Sequence, residues 1–221
     1  MRYFVTLWTF WTVKWIIENW VEVSGVVISL IYLFFSVRQK ILLWPFGILS
    51  AVFYIYIYYS GKLYADMGLQ FYYVIISIYG WIWWKKKSET NDGNIRTRKA
   101  PLSLYPYLLF VFCLLLLLLF FGLTYLTDSD VPFWDALTTA GGIIGTWMLA
   151  RKYIENWIVW IVVDSISIFL YLYKGLFATA VLFIIYTIIA FIGYQSWLKK
   201  IKQETLWLFF YQGVNQQVKQ N

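Results

Sequence analysis

The sequence predicts an all-α membrane protein with seven transmembrane helices, arranged as two parallel three-helix repeats that a linker helix joins. Three observations predict this fold. Of the 221 residues, 62% are hydrophobic and only 13% are charged, a balance that is typical of membrane proteins and not of soluble domains. Apolar runs of about 20 residues, long enough to cross a bilayer, alternate with short polar joints. The sequence also aligns with itself, without a gap, at a shift of 113 residues.

The apolar runs and the breaks between them give the predicted helices in chain order. These helices cover 20–37, 41–59, 67–84, 103–126, 133–150, 155–173 and 176–197. The aromatic-rich start of the chain lacks a cleavage site for a signal peptide and is predicted to lie at the membrane interface. The predicted divisions are an interfacial segment 1–18, a first repeat 19–87, a cytoplasmic loop and linker helix 88–130, a second repeat 131–200 and a cytoplasmic tail 201–221.

The self-alignment pairs the first three predicted helices with the last three. Identical pairs include Arg38 with Arg151, Trp44 with Trp157, Tyr73 with Tyr186, Gly80 with Gly193 and Trp84 with Trp197. Because loop residues keep the register as well as aromatic ones, chance similarity between apolar helices does not explain the alignment. An odd number of linking helices gives both halves the same orientation, an arrangement typical of secondary transporters with a site at the interface of the repeats.

Positive charge predicts the orientation in the membrane. The joints on one side carry most of the cations, whereas Arg2, Lys14, Lys62 and Lys174 lie on the other side. The rich side holds Arg38, Lys40, Lys85, Lys86, Lys87, Arg96, Arg98, Lys99, Arg151, Lys152, Lys199, Lys200, Lys202 and Lys219. We therefore expect the N-terminus outside and the C-terminus in the cytoplasm. The formal charge of +7 then reflects orientation and indicates no nucleic-acid partner.

The composition argues against an enzyme. The chain has no His, no phosphate-binding glycine loop and no dinucleotide-binding glycine motif, so neither a cofactor nor a metal site is predicted. An acid pair of Asp66 and Asp164 is improbable because the two residues lie at different predicted depths. A scaffold protein that binds a partner through its aromatic surface remains an alternative, and it predicts that replacing Asp164 leaves function intact.

One face of the sixth predicted helix carries the strongest candidate site. Trp157, Trp160, Asp164 and Tyr171 recur at spacings of three, four and seven, which return to the same side of a helix, and Asn156 borders that face. An ionisable residue inside a membrane costs about 2.5–3.5 kcal/mol on insertion scales and therefore favours a functional role. Two Trp rings and a carboxylate suit a flat aromatic cation, which stacks on the rings and meets its counter-charge.

The repeat extends this candidate site. Gln70 and Tyr73 share a face of the third predicted helix, and Tyr186 is the repeat counterpart of Tyr73. Gln70 fits hydrogen bonding to a ligand and fits helix packing equally well. The counterparts of Trp160 and Asp164 in the first half are the small residues Gly47 and Ala51. We therefore expect recognition groups in the second half and open room in the first.

Three stretches of the chain resemble the Pnu family of vitamin transporters, chiefly its nicotinamide riboside branch. They are WPFGILS, GKLYADMGLQFYYVIISIYGWIWW and the run from ARKYIENWIVWIVVD to IGYQSW, which carry the WxxWxxxD and YGWxxW motifs. The resemblance implies a fold similar to the SWEET sugar transporters and a homotrimer in the bacterial inner membrane. It also implies passive uptake of an unphosphorylated vitamin, either nicotinamide riboside or thiamine, which a cytoplasmic kinase then traps. Carried over by motif, Trp157, Trp160 and Asp164 would line the site, with Asn156 beside them and Gln70 and Tyr73 opposite.

Overall fold

The computed structural model describes residues 20–60, 64–90, 96–127, 129–173 and 177–218. These residues form seven α-helices, which confirms the predicted fold class and helix number. The helices are α1 (Trp20–Val37), α2 (Leu43–Ser60), α3 (Tyr64–Thr90), α4 (Leu104–Leu126), α5 (Pro132–Ala150), α6 (Asn156–Tyr173) and α7 (Phe177–Val218). The predicted interfacial segment 1–18 lies outside the described residues.

Two helices are longer than the apolar pattern predicts. α3 continues through its lysine-rich end to Thr90, and α7 continues to Val218, so most of the predicted tail prolongs the last helix. Hydrophobicity marks the part of a helix that lies in lipid, whereas Lys, Gln and Glu are good helix formers that allow the same helix to continue into water.

Three of the described helices are long and apolar enough to cross a membrane by length and composition: Leu104–Leu126, Asn156–Tyr173 and Ala180–Glu204. Shorter apolar stretches occupy Val23–Val37 and Leu43–Ile57. α4 exposes most of its apolar side chains, including Leu109, Phe110 and Leu118, as suits contact with lipid. Its opposite side packs through Leu108 against Ile144 and Met148 of α5.

The chain forms two compact units, the first ending at Ile82 and the second beginning at Trp83. In the first unit α1 packs along α2. In the second unit α5 packs against both α4 and α6, and α6 packs against α7. The α6 face that carries Asp164 is therefore positioned by α5 and α7 of its own unit.

The loops that follow α1 and α5 have the same hydrogen bonds at a constant shift of 113 residues. After α1, backbone N–H groups donate from Arg38 to Phe34 (3.2 Å), from Gln39 to Ser36 (3.1 Å) and from Lys40 to Phe35 (2.9 Å). After α5, they donate from Arg151 to Trp147 (3.1 Å), from Lys152 to Leu149 (2.9 Å) and from Tyr153 to Met148 (3.0 Å). Gln39 and Lys152 both have φ of 55°, a left-handed conformation that non-glycine residues seldom adopt. The two turns thus share a backbone conformation as well as a sequence register.

The second of these turns buries a lysine. Lys152 is only 3% exposed, and its Nζ lies 4.3 Å from the centroid of the Trp84 ring, within range of a cation–π contact. The indole Nε1 of Trp84 donates a hydrogen bond of 2.9 Å to the carbonyl oxygen of Ala150. Together these contacts attach the C-terminal part of α3 to the α5–α6 turn.

We expect the stability of the protein to rise with pH because of Lys152. Burial lowers the pKa of Lys152 from 10.5 to about 7, Lys200 lowers it further, and Glu204 partly opposes the shift. Between these two pKa values the unfolded chain binds the proton more tightly, so deprotonation favours the folded state. Between pH 7 and pH 9 the free energy of unfolding should increase by up to ~2 kcal/mol, or several degrees in Tm.

Thermal unfolding in detergent across this pH range measures the effect. Lys152→Met keeps the apolar stem and should flatten the profile, whereas Lys199→Met, at an exposed position on α7, should leave the slope unchanged. Equal slopes in the wild-type protein and Lys152→Met would contradict the assignment to Lys152.

Candidate functional site

The candidate site begins at the first turn of α6. Asn156 is fully buried, and its Nδ2 donates a hydrogen bond of 2.6 Å to the carbonyl oxygen of Tyr153, which holds the chain as the helix starts. Its Oδ1 accepts no hydrogen bond from the described residues. Asn156 therefore lies at the predicted cytoplasmic end of the α6 face with one buried acceptor unused.

Asp164 lies two turns further along α6, about 12 Å from Asn156 at 1.5 Å per residue. The residue is 4% exposed, and its neighbours Val163 and Ser167 are also buried. Ser167 does not serve the carboxylate, since its hydroxyl donates to the backbone carbonyl of Val163 at 2.9 Å. Within the described residues, no side chain forms a hydrogen bond or an ion pair with Asp164. A buried carboxylate without a partner is costly, so this group is placed to receive a cation or a donor from outside the chain.

Trp160 lies one turn before Asp164 and packs against a glycine of α5. A methyl group at Gly145 would lie 3.3 Å from both Cε2 and Nε1 of Trp160. The indole edge thus lies directly on the α5 backbone. Trp160 stays partly exposed, so it can offer ring surface beside the carboxylate.

Trp157 is used differently. Its ring is 2% exposed, lies over Gly193 of α7 and meets Trp197 edge-on with ring centroids 5.6 Å apart. Its Nε1 has no hydrogen-bond acceptor among the described residues. The counterpart Trp44 lies over Gly80 in the first unit, so this Trp–Gly contact occurs in both repeats. The packing explains why Trp157 is buried, and its part in binding stays a prediction.

Aromatic contacts connect the far end of α6 with α7. The rings of Tyr171 and Phe183 have centroids 4.9 Å apart, and those of Phe183 and Tyr186 are 5.6 Å apart. Tyr171 lies seven residues, about 10 Å, beyond Asp164 along the helix. The structure therefore brings Tyr171 and Tyr186 into one aromatic row, separate in depth from the Trp160–Asp164 pair.

Gln70 and Tyr73 lie on α3 within the first unit, where both are half-buried. The ring of Tyr73 lies next to that of Tyr72, with centroids 5.7 Å apart. Their contribution to a site with Asp164 stays a prediction.

The expectation of open room at Gly47 is wrong within the first unit. A methyl group on Gly47 would lie 3.1 Å from Oγ of Ser77 and 3.2 Å from the Tyr32 ring, so both side chains already fill this space. Tyr32 and Ser77 were not singled out from the sequence. The 113-residue register points to Tyr32 once it is applied from α5, because position 32 is the counterpart of Gly145.

The described residues contain no group of three or more Cys, Asp or Glu side chains that could hold a metal ion. The arrangement of the second unit instead suits non-covalent recognition, with a carboxylate for charge and an indole ring for stacking.

A sequence profile of the family described as "Nicotinamide mononucleotide transporter" matches residues 19–199 of the chain, including both predicted repeats. The chain belongs to this family. This membership confirms the Pnu-type resemblance and makes the protein a multi-pass membrane protein of a transporter family.

Two curated relatives show the breadth of the similarity. The chain is 25% identical over 209 residues to the nicotinamide riboside transporter PnuC of Escherichia coli (strain K12), covering 84% of this chain and 87% of that protein. It is also 25% identical over 190 residues to the riboflavin/roseoflavin transporter RibM of Streptomyces davaonensis, covering 84% and 88%. Relatives of equal identity thus carry different vitamins by name.

A solved structure supports the fold. The crystal structure of the vitamin B3 transporter PnuC superposes with a TM-score of 0.69 at 23% identity, over 86% of this chain and 87% of that one. The helical architecture described above is therefore that of a known transporter.

Proposed function

We propose that this protein carries nicotinamide riboside across the bacterial inner membrane by facilitated diffusion. One observation carries the proposal: the buried carboxylate of Asp164 has no partner among the described residues and lies one helical turn from the Trp160 ring. The printed name of the PnuC relative supports the choice of substrate.

The chemistry of the substrate fits these two groups. Nicotinamide riboside combines a flat pyridinium cation with a polar sugar, so the carboxylate can neutralise the charge while the indole face stacks on the ring. A buried charge pair is strong only when its geometry is good, and transport requires that the substrate also leave. One carboxylate beside one ring provides recognition without the many contacts that would slow release.

We further propose that uptake is not driven by a coupling ion. The α6 sequence contains a single acidic residue, Asp164, and the cationic substrate would occupy the place that a coupling ion needs. Net uptake then follows the concentration gradient, and phosphorylation by a cytoplasmic kinase would trap the substrate.

Three further features belong to the same proposal. The cation-rich loops support an external N-terminus and a cytoplasmic C-terminus. The repeated hydrogen bonds after α1 and α5 support repeats at 19–87 and 131–200, with linker region 88–130 between them. The family resemblance implies a homotrimer with a SWEET-like arrangement of the repeats.

Quenching of intrinsic Trp fluorescence in detergent-purified protein tests the substrate. We expect saturable quenching by nicotinamide riboside, a marked loss of that quenching in Trp160→Ala, and no competition by riboflavin, which has no fixed positive charge for Asp164 to bind. Thiamine is the instructive comparison because it is also an aromatic cation. A response to thiamine alone would assign that vitamin, a response to riboflavin alone would remove the role of the carboxylate, and silence with all three would contradict the proposal.

A further inference from the structure

We propose that Gly145 is a positioning residue for Trp160, and that an exchange of glycine and aromatic residue between the two repeats determines which helix supplies the recognition ring. The inference rests on the proposed role of Trp160 and Asp164 in substrate binding. It assigns a role to a residue of α5 that need not touch the substrate.

The contact between α5 and α6 is closest at two glycines one turn apart. A methyl group on Gly141 would lie 2.5 Å from Cγ2 of Val163, which is an overlap. A methyl group on Gly145 would lie 3.3 Å from the Trp160 indole and from Cγ1 of Val159, slightly inside the optimal carbon contact of about 3.5–4.0 Å. The Gly141–Val163 contact sets the distance between the helices, so an added methyl at Gly145 would move the Trp160 ring rather than the helix.

The first unit contains the same contact in the reverse direction. There Tyr32 of α1 lies against Gly47 of α2, with 3.2 Å between its ring and a methyl group built on that glycine. At the shift of 113 residues, Tyr32 corresponds to Gly145 and Gly47 corresponds to Trp160. The turn hydrogen bonds keep the same shift, so the reversal is an exchange of residues and not a slip of one helix.

The exchange explains why the ring and the charge occur together. In the second unit the aromatic residue lies on α6, the helix that carries Asp164, one turn away. In the first unit the ring lies on α1, and the counterpart of Asp164 on α2 is the buried Ala51. A glycine at position 145 is therefore the condition for placing an indole beside the carboxylate.

The direct test uses fluorine NMR of protein labelled with 5-fluorotryptophan. Trp160→Phe removes one resonance and so assigns Trp160 among the 14 Trp residues. In ligand-free protein, Gly145→Ala should shift this resonance, and its affinity for nicotinamide riboside should fall roughly tenfold, or about 1.4 kcal/mol. Gly122→Ala on α4 is the matched control because a methyl group there meets nothing within 4 Å. An unshifted Trp160 resonance in Gly145→Ala would overturn the positioning role.

A reciprocal exchange separates positioning from packing. Gly145→Tyr alone should prevent folding, whereas Gly145→Tyr combined with Trp160→Gly recreates the arrangement of the first unit and should restore most of the Tm. The double variant should nevertheless bind nicotinamide riboside no better than Trp160→Ala. Wild-type affinity in the double variant would overturn the inference. If the wild-type protein binds no nicotinamide riboside, the proposed function fails, and the fluorine resonance, which needs no ligand, still decides the role of Gly145.

Discussion

Replacing Asp164 by Asn should weaken binding of nicotinamide riboside and at the same time stabilise the ligand-free protein. The carboxylate is buried without a partner among the described residues, so neutralising it removes a desolvation penalty. The same change removes the counter-charge for a pyridinium ring. We expect binding to weaken by about 2–3 kcal/mol, or roughly 30- to 150-fold in Kd. Titration calorimetry and thermal unfolding of one preparation measure both effects.

Asp135→Asn provides the matched control. Asp135 lies in the first turn of α5, where it accepts a hydrogen bond of 2.7 Å from Ser129 and where the helix dipole favours its charge. This substitution should lower Tm slightly and leave the affinity unchanged. A scaffold role for the protein predicts that Asp164→Asn has no functional effect, so unchanged affinity in that variant would support the scaffold alternative.

Gly193→Ala should cause the largest loss of stability among single methyl additions in the second unit. The added carbon would lie 2.6–2.7 Å from atoms of the Trp157 ring, which is itself enclosed by Trp197. Because the ring has no free space to move into, the helices must separate. Overpacking of this kind costs about 1–3 kcal/mol and occasionally more, which corresponds to a fall in Tm of several degrees. Thermal unfolding in detergent measures it.

Two comparisons test the cause. Gly122→Ala, at an open position on α4, should leave Tm unchanged or raise it slightly, since Ala favours helix more than Gly. Gly80→Ala should reproduce the loss because its methyl group would overlap the Trp44 ring in the first unit. Should Gly193→Ala unfold at the wild-type temperature, the Trp157–Gly193 contact would not support α6 against α7.

Much of the fold could be predicted because it is recorded along the chain itself. Apolar run length determined the number of helices, and the bounds of α1 were predicted to the residue. The ends of α3 and α7 were missed because their polar continuations leave the apolar pattern without leaving the helix. The repeat register was visible at Arg38 and Arg151, and the structure adds that both turns share their hydrogen bonds.

The site was harder to predict because a sequence gives the size of a side chain but not what fills the space beside it. Gly47 suggested a cavity, yet Tyr32 and Ser77 occupy that space. The repeat itself offers a better criterion. Trp157 and Trp44 are identical and pack identically on glycine, as expected of a scaffold, whereas Trp160 and Asp164 differ from their counterparts Gly47 and Ala51, as expected of recognition groups.

The most direct test of the central claim is entry of radiolabelled nicotinamide riboside into proteoliposomes that contain only this protein. The account predicts that internal label rises to the external concentration and no further, unaffected by ionophores that abolish sodium and proton gradients, and that Asp164→Asn slows the entry. Accumulation above the external concentration in response to an ion gradient, or entry no faster than into protein-free liposomes, would contradict it.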